Sequence, residues 1–592
     1  MALSTDRGAF KLVRRFLVSK GPIEPVVDTP AQKPSCPPPR PVHLPLPRSA
    51  PEAQGVLSDN LAGFLAALRD DRTLDPHAVV VLRNGRVLST ASFGAYDLGI
   101  PHVTHSAAKS IVSLAIGMLV DEDRLSLDDR VVEIFADRAT PFARLTHRNL
   151  TVRHLLTMTS GVVYNEVASV TETDWVGRYL ESVRLSEPGA VFFYNSMNTY
   201  LLSAIVKQVT GQGLVDFLQP RLWEPLGITG IFWERCPKGI EKGGWGLYIR
   251  LEDLAKVGQL VLQQGVWNGR RLISEAWLRD ATTAQRKLDE ELGGFDYGFH
   301  TWVGRTRPSF LFNGMFGQNV LGFPETGVLV AVNAGNHEMF QQSRFFVHAE
   351  RWFGALPAQS VRLAEDPRAL AGLRALEESL RRCGPEDAAD FPWPDVLGRR
   401  FLVPHESREA ASTVGLLPFF LQGMQNHYAK GLRGLSFEGS AEVPVLVVEE
   451  ADETHRLPVG YRTARTTELV FRGEPFRVGV AGWREDEPGG PPALCIRVSF
   501  LEAANSRMLR IVFRDGGAVA HWTEIPGKDL LVRGLELLRV RVTDNPLLKR
   551  AGRAGSTYLR DRVEKLLEPV TKLVEETEER PAEPAGSPSI RS

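Results

Sequence analysis

The stretch HSAAKS at residues 105–110 runs directly into IVSLAIGMLVDEDRLSLDD at residues 111–129. Its apolar residues recur near helical spacing, so the pattern predicts a buried helix. Ser106 and Lys109 are three residues apart and therefore lie on one face, about a turn from each other. The N–H groups at a helix start are unpaired and carry partial positive charge. A serine there can be a nucleophile with the lysine as its base, although an isolated S-x-x-K is more often an N-cap serine and a solvated lysine.

The composition is that of an ordinary globular protein. The 592 residues include 70 Lys and Arg against 71 Asp and Glu, and 43% are hydrophobic. This length predicts several domains, and the balanced charge gives no reason to expect a nucleic-acid partner. The N-terminus lacks the pattern of a secretory signal, and no run approaches the ~18 apolar residues of a spanning helix. We therefore expect a cytoplasmic protein without an integral membrane segment.

The cysteines show neither a disulfide framework nor a metal-ligand spacing. They are far apart in the sequence, with no C-x-x-C motif and no Cys/His pattern typical of zinc. We therefore expect free thiols in a reducing compartment and no metal site. The four residues are Cys36, Cys236, Cys383 and Cys495.

Strand patterns stand at both ends of the N-terminal half. The stretch AVVVLRNGRVLSTASFG at residues 78–94 predicts a hairpin that turns at Asn84-Gly85. Strand-like runs at 308–312 and 327–333 follow several helical patterns, including one over 251–262. This arrangement predicts a sheet whose first and last strands meet in space.

The C-terminal half has a different pattern. Short alternating runs separated by turn residues extend from about 399 to 538 and predict an antiparallel sandwich or barrel. Residues 558–573 carry an apolar stripe at helical spacing and predict an amphipathic helix that is kinked at Pro569. The last residues have the composition of a disordered tail.

Further motifs accompany S-x-x-K in a fixed order. They are LSLDD at 125–129, LTVRHLLTMTSG at 150–161, Pro188-Gly189 before YNS at 194–196, and Gly243-Gly244 before EDLA at 252–255. With them, this region resembles the serine β-lactamase-like hydrolases, which include class C β-lactamases, penicillin-binding proteins and many esterases and amide hydrolases; S-x-x-K is one of their signatures. The resemblance covers about half of the chain. It implies an α+β fold, in which an antiparallel sheet has flanking helices and a helical subdomain.

The expected domains follow from the resemblance and the composition. We expect a β-lactamase-like serine hydrolase domain at 49–358 and a smaller antiparallel β-domain of unknown role at 396–545. A helical linker at 359–395 would join them. The expected termini are a mostly flexible Pro-rich arm at 1–48 and an amphipathic helix with a disordered tail at 546–592.

The resemblance also implies the roles of three catalytic residues. Ser106 would attack a carbonyl carbon and form an acyl-enzyme that water later cleaves. Lys109 would be the base, provided that burial keeps it neutral. Tyr194 occupies the place of the family's tyrosine in Y-x-N, where its phenol would pass a proton between Ser106, Lys109 and the leaving group.

The third motif of the family, K-T-G or H-x-G, is matched here to Met315-Phe316-Gly317. The oxyanion hole would then combine the N–H of Ser106 with a donor at Gln318, and Gly317 would let substrate approach the strand closely. Ser196 would also contact substrate, at a position where many relatives have Asn. Met315 replaces the cation that binds the carboxylate of a β-lactam or D-Ala peptide, so a neutral ester or amide is the favoured substrate.

These features predict a serine hydrolase that cleaves an ester or amide bond of a small molecule and needs no cofactor. A non-catalytic binding or scaffold protein with the same fold is the first alternative, because the third motif is altered. A true β-lactamase or DD-peptidase is the second. The sequence leaves the natural substrate and the oligomeric state open.

Overall fold

The computed structural model describes residues 23–25, 27, 32–289, 294–337, 343–486, 490–527 and 564–576. Within them, one antiparallel sheet has seven strands in the order β2-β1-β12-β11-β10-β9-β8. These strands are β1 Pro76–Arg83, β2 Arg86–Ser92, β8 Phe295–Tyr297, β9 Trp302–Gly304, β10 Phe310–Gly314, β11 Gln318–Phe323 and β12 Val328–Ala334.

The β1–β2 hairpin and the pairing of β1 with β12 confirm the predictions made from the sequence. Strands β1 and β2 turn at Asn84-Gly85, where both residues have positive φ. Strand β1 also pairs with β12, with Val80 opposite Ala331. The first and last strands of this region are therefore neighbours, as the strand patterns at its two ends predicted. Strand β11 lies between the two predicted C-terminal runs and was not predicted.

Helices cover the sheet and build a separate helical region. Helix α2, Ala108–Asp121, follows the 3₁₀ turn His105–Ala107 and is buried along most of its length. Helix α10, Leu251–Leu262, has the predicted bounds and packs on the sheet so closely that a Cβ on Gly258 would lie 2.5 Å from Val320 Cγ1. The other helices are α1 Ser58–Asp70, α3 Val131–Ile134, α4 Pro141–Thr146, α5 Val152–Leu156, α6 Glu166–Ser169, α7 Trp175–Leu180, α8 Ser196–Thr210, α9 Leu214–Leu218, α11 Glu275–Ala281 and α12 Arg344–Ala349.

Short elements complete this part of the chain. Strand β5, Leu247–Ile249, lies between β3, His102–Val103, and β4, Phe232–Trp233. A separate pair consists of β6, Val266–Trp267, and β7, Arg270–Arg271. Single turns of π-helix occur at Gln219–Trp223 and Glu350–Gly354, and a 3₁₀ turn at Glu52–Gln54. Because β3 directly precedes the turn that carries Ser106, this small sheet fixes the position of the turn.

The predicted helical linker contains one helix with a favoured start. Helix α13 spans Pro367–Ser379, and the Asp366 side chain accepts hydrogen bonds from the N–H groups of Arg368 and Ala369. An Asp cap followed by Pro at the first helical position is a favoured helix start. Helix α13 packs against α1, so the linker is part of the N-terminal fold.

The C-terminal half forms a second, barrel-like sheet, as the alternating pattern predicted. Eleven strands are present among the described residues, and β16 at one end approaches β18 at the other. Two 3₁₀ turns, Trp393–Asp395 and His405–Ser407, and helix α14, Phe419–Gln425, precede most of them. The strands are β13 Arg400–Leu402, β14 Leu432–Gly439, β15 Pro444–Glu450, β16 Thr454–Pro458, β17 Gly460–Tyr461, β18 Arg465–Phe471, β19 Glu474–Glu485, β20 Ala493–Phe500, β21 Ser506–Arg514, β22 Gly517–Ile525 and β23 Val570–Glu575.

The prediction of a C-terminal helix is wrong from Val570 onward, where the chain forms a strand. Strand β23 pairs with β13 and β22, which inserts it into the middle of the second sheet. Thr571 and Leu573 are buried while Val570 and Val574 are exposed, an alternation of period two. The predicted residues 558–563 and the tail 577–592 lie outside the described residues.

The Pro-rich segment is packed where the structure describes it, contrary to the flexible arm expected there. The Lys33 ammonium forms a buried ion pair of 2.8 Å with Glu502 in the C-terminal half. Further along, the Leu46 N–H donates to the Glu252 carboxylate at 2.8 Å in the N-terminal half. This segment therefore contacts both halves of the molecule. Residues 1–22 lie outside the described residues.

All four cysteines are buried and none forms a disulfide. Among the described residues, no helix combines the length and the apolar character needed to cross a membrane.

Candidate active site

Ser106 lies in a turn that local sequence and long-range packing both hold in place. The 3₁₀ turn His105–Ala107 leads into α2, so the Ser106 hydroxyl projects at the start of a buried helix. His105 has a φ of +44°, a left-handed conformation that is uncommon for a residue with a side chain. Such strained backbone is frequent at functional sites. A cavity of about 340 Å³ opens beside Ser106.

Lys109 lies directly behind the serine. Its ammonium nitrogen is 2.8 Å from Ser106 Oγ and donates to the Gly244 carbonyl at 2.8 Å. The side chain is 1% exposed, and this burial lowers the pKa of Lys109 to about 7, partly opposed by the Glu166 carboxylate. Near pH 7, a substantial fraction of Lys109 is therefore neutral and able to accept the Ser106 proton.

Other titratable groups around Lys109 have pKa values that leave it as the main base. Tyr194 hydrogen-bonds to the Ser106 side chain, and its ring centroid is 5.0 Å from Lys109 Nζ. Burial raises the pKa of Tyr194 well above its usual value of 10.0, so the phenol stays protonated. Burial and the charge of Lys109 lower the pKa of both His105 and His300 to about 3, so these rings are neutral. Tyr194 can therefore relay a proton but is a poor primary base.

The predicted residues Gly317 and Gln318 do not reach the cavity. Gln318 is fully buried, and its side-chain amide donates to the Ala334 carbonyl at 2.5 Å. A Cβ on Gly317 would lie 2.3 Å from Asn336 Nδ2, so this glycine permits a close contact inside the sheet and not with a substrate. Neither residue is part of the cavity wall.

The end of β10 approaches Ser106 instead. A Cβ on Gly314 would lie 2.3 Å from the Thr104 carbonyl oxygen, and Met315 is part of the cavity wall. Within the described residues, the N–H groups of Ser106 and Met315 donate to no backbone or side-chain acceptor. The two are therefore the best-placed donors for a developing oxyanion. If Gly314 is the motif glycine, buried Phe312 replaces the family's Lys or His, and the position is still uncharged.

The Y-N-S segment positions the start of helix α8 at the cavity. Asn195 is the N-cap: its side-chain oxygen accepts from the Met197 N–H at 2.9 Å, and its amide donates to the carbonyls of Val162 and Tyr164. Asn195 is therefore structural. Ser196 follows it and lines the cavity, and its predicted contact with substrate stays a prediction.

Glu166 is a cavity residue that the sequence did not single out. Its carboxylate accepts from the Ser196 N–H at 3.3 Å and acts electrostatically on both Lys109 and Tyr194. It is the first residue of the short helix α6, which follows the TSG stretch and carries no recognised motif, so only the fold reveals its position. A negative charge here favours a cationic over an anionic group in the substrate.

Aromatic side chains and paired charges form the rest of the wall. Trp175 and Trp245 stack with ring centroids 5.8 Å apart. On the same wall, Lys242 pairs with Glu234 at 2.6 Å, and Arg235 pairs with Glu241 at 3.2 Å. These cations are already neutralised, which disfavours a substrate that needs a cation for its carboxylate.

The C-terminal half contributes one side of the cavity. Phe420 and Met424 from helix α14 line it. The Phe420 ring meets His105 edge to face at 6.0 Å and Phe316 at 4.8 Å. His105 is therefore a buried wall residue beside the serine. The role of the C-terminal half includes shaping this cavity.

Three further histidines, His102, His154 and His337, have structural contacts outside the wall of the Ser106 cavity. His102 Nε2 lies 3.1 Å from His77 Nδ1 in a buried polar chain. His154 accepts from the Thr151 N–H and completes a capping box at the start of α5. His337 accepts from the Gly527 N–H at 3.0 Å and is not part of the cavity wall.

Comparisons with known proteins place the N-terminal half of the chain beside one family. The family model described as "Beta-lactamase" matches residues 62–344. The 6-aminohexanoate-dimer hydrolase of Paenarthrobacter ureafaciens is 28% identical over 283 residues, which are 43% of this chain and 71% of the relative. The ML-236A carboxylate methylbutanoyltransferase of Penicillium citrinum is 26% identical over 31% of this chain and 53% of the relative.

The solved structures that align with the chain do so at low overall similarity. The penicillin-binding protein from Bacillus halodurans aligns with a TM-score of 0.39 and 16% identity, over 49% of this chain and 97% of that one. The family match, the relatives and the order of the motifs point the same way. The chain therefore carries, over residues 62–344, a domain of the serine β-lactamase-like hydrolase family.

Proposed function

We propose that this protein is a serine hydrolase that cleaves an ester or amide bond of an uncharged or cationic small molecule through an acyl-enzyme on Ser106. The observation that carries the proposal is the 2.8 Å contact between Ser106 Oγ and a buried Lys109 whose pKa is about 7. A serine hydroxyl needs such a base to attack a carbonyl at neutral pH.

Acylation would proceed in two steps at these residues. Neutral Lys109 Nζ takes the Ser106 proton as Oγ bonds to the carbonyl carbon, and the N–H groups of Ser106 and Met315 bind the resulting oxyanion. The intermediate then collapses, the bond to the alcohol or amine breaks, and Lys109 returns the proton to the leaving group through Tyr194. In deacylation, a water molecule takes the place of Ser106 as nucleophile: it gives a proton to Lys109 and attacks the acyl carbonyl carbon. The ester bond to Ser106 then breaks, Oγ regains the proton, and the acid is released.

The first test is covalent labelling by a fluorophosphonate probe, which reacts with activated serines. We expect labelling of the wild type and none of Ser106→Ala, because no other serine in the described part of the chain shares this contact with Lys109. Ser113→Ala is the matched control, since Ser113 lies on the same buried helix and away from the cavity. Equal labelling of wild type and Ser106→Ala would refute Ser106 as nucleophile, and a folded wild type that stays unlabelled would contradict the proposal.

Phe420→Ala is expected to change which acyl groups are accepted. The substitution removes an aromatic wall and enlarges the cavity, so the preference for long over short p-nitrophenyl esters should rise by about 10-fold in kcat/KM. Phe419→Ala is the control, because it removes the neighbouring ring of the same helix, which is not part of the wall. Identical chain-length profiles for both variants would show that the C-terminal half does not select the acyl group.

A further inference from the structure

A second cavity lies between the N-terminal fold and the C-terminal sheet. Its volume is about 710 Å³, and its wall shares no described residue with the wall of the Ser106 cavity. Residues around the start of β1 and the segment 93–96 after β2 form one side. Strands β19, β20 and β21 form the opposite side, and the segment 379–386 after helix α13 closes a third.

The side chains of β19 explain why space remains there. Val478 and Val480 point into the packed core of the C-terminal sheet. Gly479 and Ala481 alternate with them and therefore face the cavity, where the small side chain of Ala481 leaves room. Gly479 instead lets Ala95 approach closely, since a Cβ on Gly479 would lie 2.6 Å from Ala95 Cβ. The next residue on that face is Trp483, which supplies a flat apolar surface. The cavity therefore has an apolar wall on the outer face of a rigid sheet.

Arginines give this cavity a positive charge. Four arginines line it, against two carboxylates, Asp75 and Glu386. Asp75 is held by Arg497 at 2.6 Å and is not available to other cations. Arg462 donates to backbone carbonyls, including that of Ala388 at 2.9 Å, and neither Arg462 nor Arg382 pairs with a carboxylate among the described residues. Two guanidinium groups at the wall are therefore not neutralised.

We propose that this cavity is a second ligand site, which binds a small molecule that carries an anionic group on an apolar or aromatic body. The guanidinium groups of Arg382 and Arg462 would bind the anion, since their planar forks match a carboxylate or phosphate. Trp483 and the space beside Ala481 would accept the apolar body. This ligand chemistry is the opposite of that of the Ser106 cavity, whose lysine and arginine are paired.

The test compares two fluorescent probes with the same rings. The probe 8-anilinonaphthalene-1-sulfonate carries a sulfonate, and N-phenyl-1-naphthylamine lacks it. We expect Arg382→Gln and Arg462→Gln each to weaken binding of the sulfonate by about 10-fold, because a charge-assisted hydrogen bond is lost, with little effect on the neutral probe. Ala481→Leu fills the cavity and should weaken the binding of both probes. Added salt should weaken only the binding of the sulfonate probe.

Controls separate this site from the surface and from the Ser106 cavity. Arg465→Gln removes an exposed arginine of β18 that is not part of the wall and should leave both affinities unchanged. Arg382 is exposed and makes no ion pair with any residue that the structure describes, so its variant should fold even if Arg462→Gln does not. Unchanged sulfonate affinity in Arg382→Gln and Ala481→Leu would overturn the proposal, as would a loss of binding only in Phe420→Ala. Neither result depends on the hydrolase activity.

Discussion

Lys109→Met is expected to lower kcat/KM for a neutral ester by about 10³–10⁴-fold, the range typical of a lost general base. Methionine has nearly the shape of the lysine side chain but cannot accept the Ser106 proton. Because Lys109 is 1% exposed, an apolar replacement of similar volume should be tolerated by the surrounding core. Lys207→Met, at a partly exposed lysine of helix α8, is the control and should keep full activity.

The pH dependence gives this prediction a second readout. The pKa of Lys109 is lowered from 10.5 to about 7, so wild-type kcat/KM should rise with pH through about 7 as the amine becomes neutral. The unfolded chain binds the lysine proton up to about pH 10.5, while the folded chain releases it at about 7. The free energy of unfolding should therefore rise between these values in the wild type, and this increment should be missing in Lys109→Met. An activity profile that is flat from pH 5 to 9 would contradict the role of Lys109.

The proximity of Ser106, Lys109 and Tyr194, the proposed catalytic residues, was predictable because most of their geometry is local. Ser106 and Lys109 are held by the spacing of one helix, and Tyr194 precedes the helix start that Asn195 caps. What the sequence could not give is the environment of Lys109. Its lowered pKa depends on burial by distant segments, including the Gly244 carbonyl, and on the Glu166 carboxylate.

The oxyanion strand shows the limit of motif matching. Gly314 and Gly317 stand three residues apart around one turn, and either could be matched to the last glycine of the family motif. The two differ in what they pack against, Thr104 for Gly314 and Asn336 for Gly317. These are contacts between residues far apart in sequence, so spacing alone could not distinguish them. The wall residue Phe420 escaped prediction for the same reason.

The C-terminal strand illustrates a conflict between two periodicities. Residues 570–575 fit the apolar stripe of the predicted helix, but Val570, Lys572 and Val574 also alternate with Thr571 and Leu573. Pairing with two neighbouring strands satisfies the backbone of this segment and decides between the patterns. Pro569, which was expected to kink a helix, instead lies directly before the first residue of strand β23.

Met315→Pro is expected to lower kcat by about 10²–10³-fold with little change in KM, because proline lacks the N–H that would bind the oxyanion only in the transition state. The turn should accept the substitution. The Gly317 N–H donates to the Gly314 carbonyl and Phe316 has a φ of +65°, features of a type II turn in which proline is favoured at the position of Met315.

Met315→Ala distinguishes the role of the Met315 N–H from the role of its side chain. It keeps the backbone donor and removes only the apolar contact, so kcat should stay within a few-fold of the wild type while the preference among acyl groups shifts. Equal loss in both variants would mean that the Met315 side chain, and not its N–H, supports catalysis. A Met315→Pro enzyme that is folded and fully active would contradict the assignment of the Met315 N–H. The second N–H of the oxyanion hole would then belong to another residue near the end of this strand. Because Gln318 is buried and bonded to Ala334, that group would have to come from a rearranged turn.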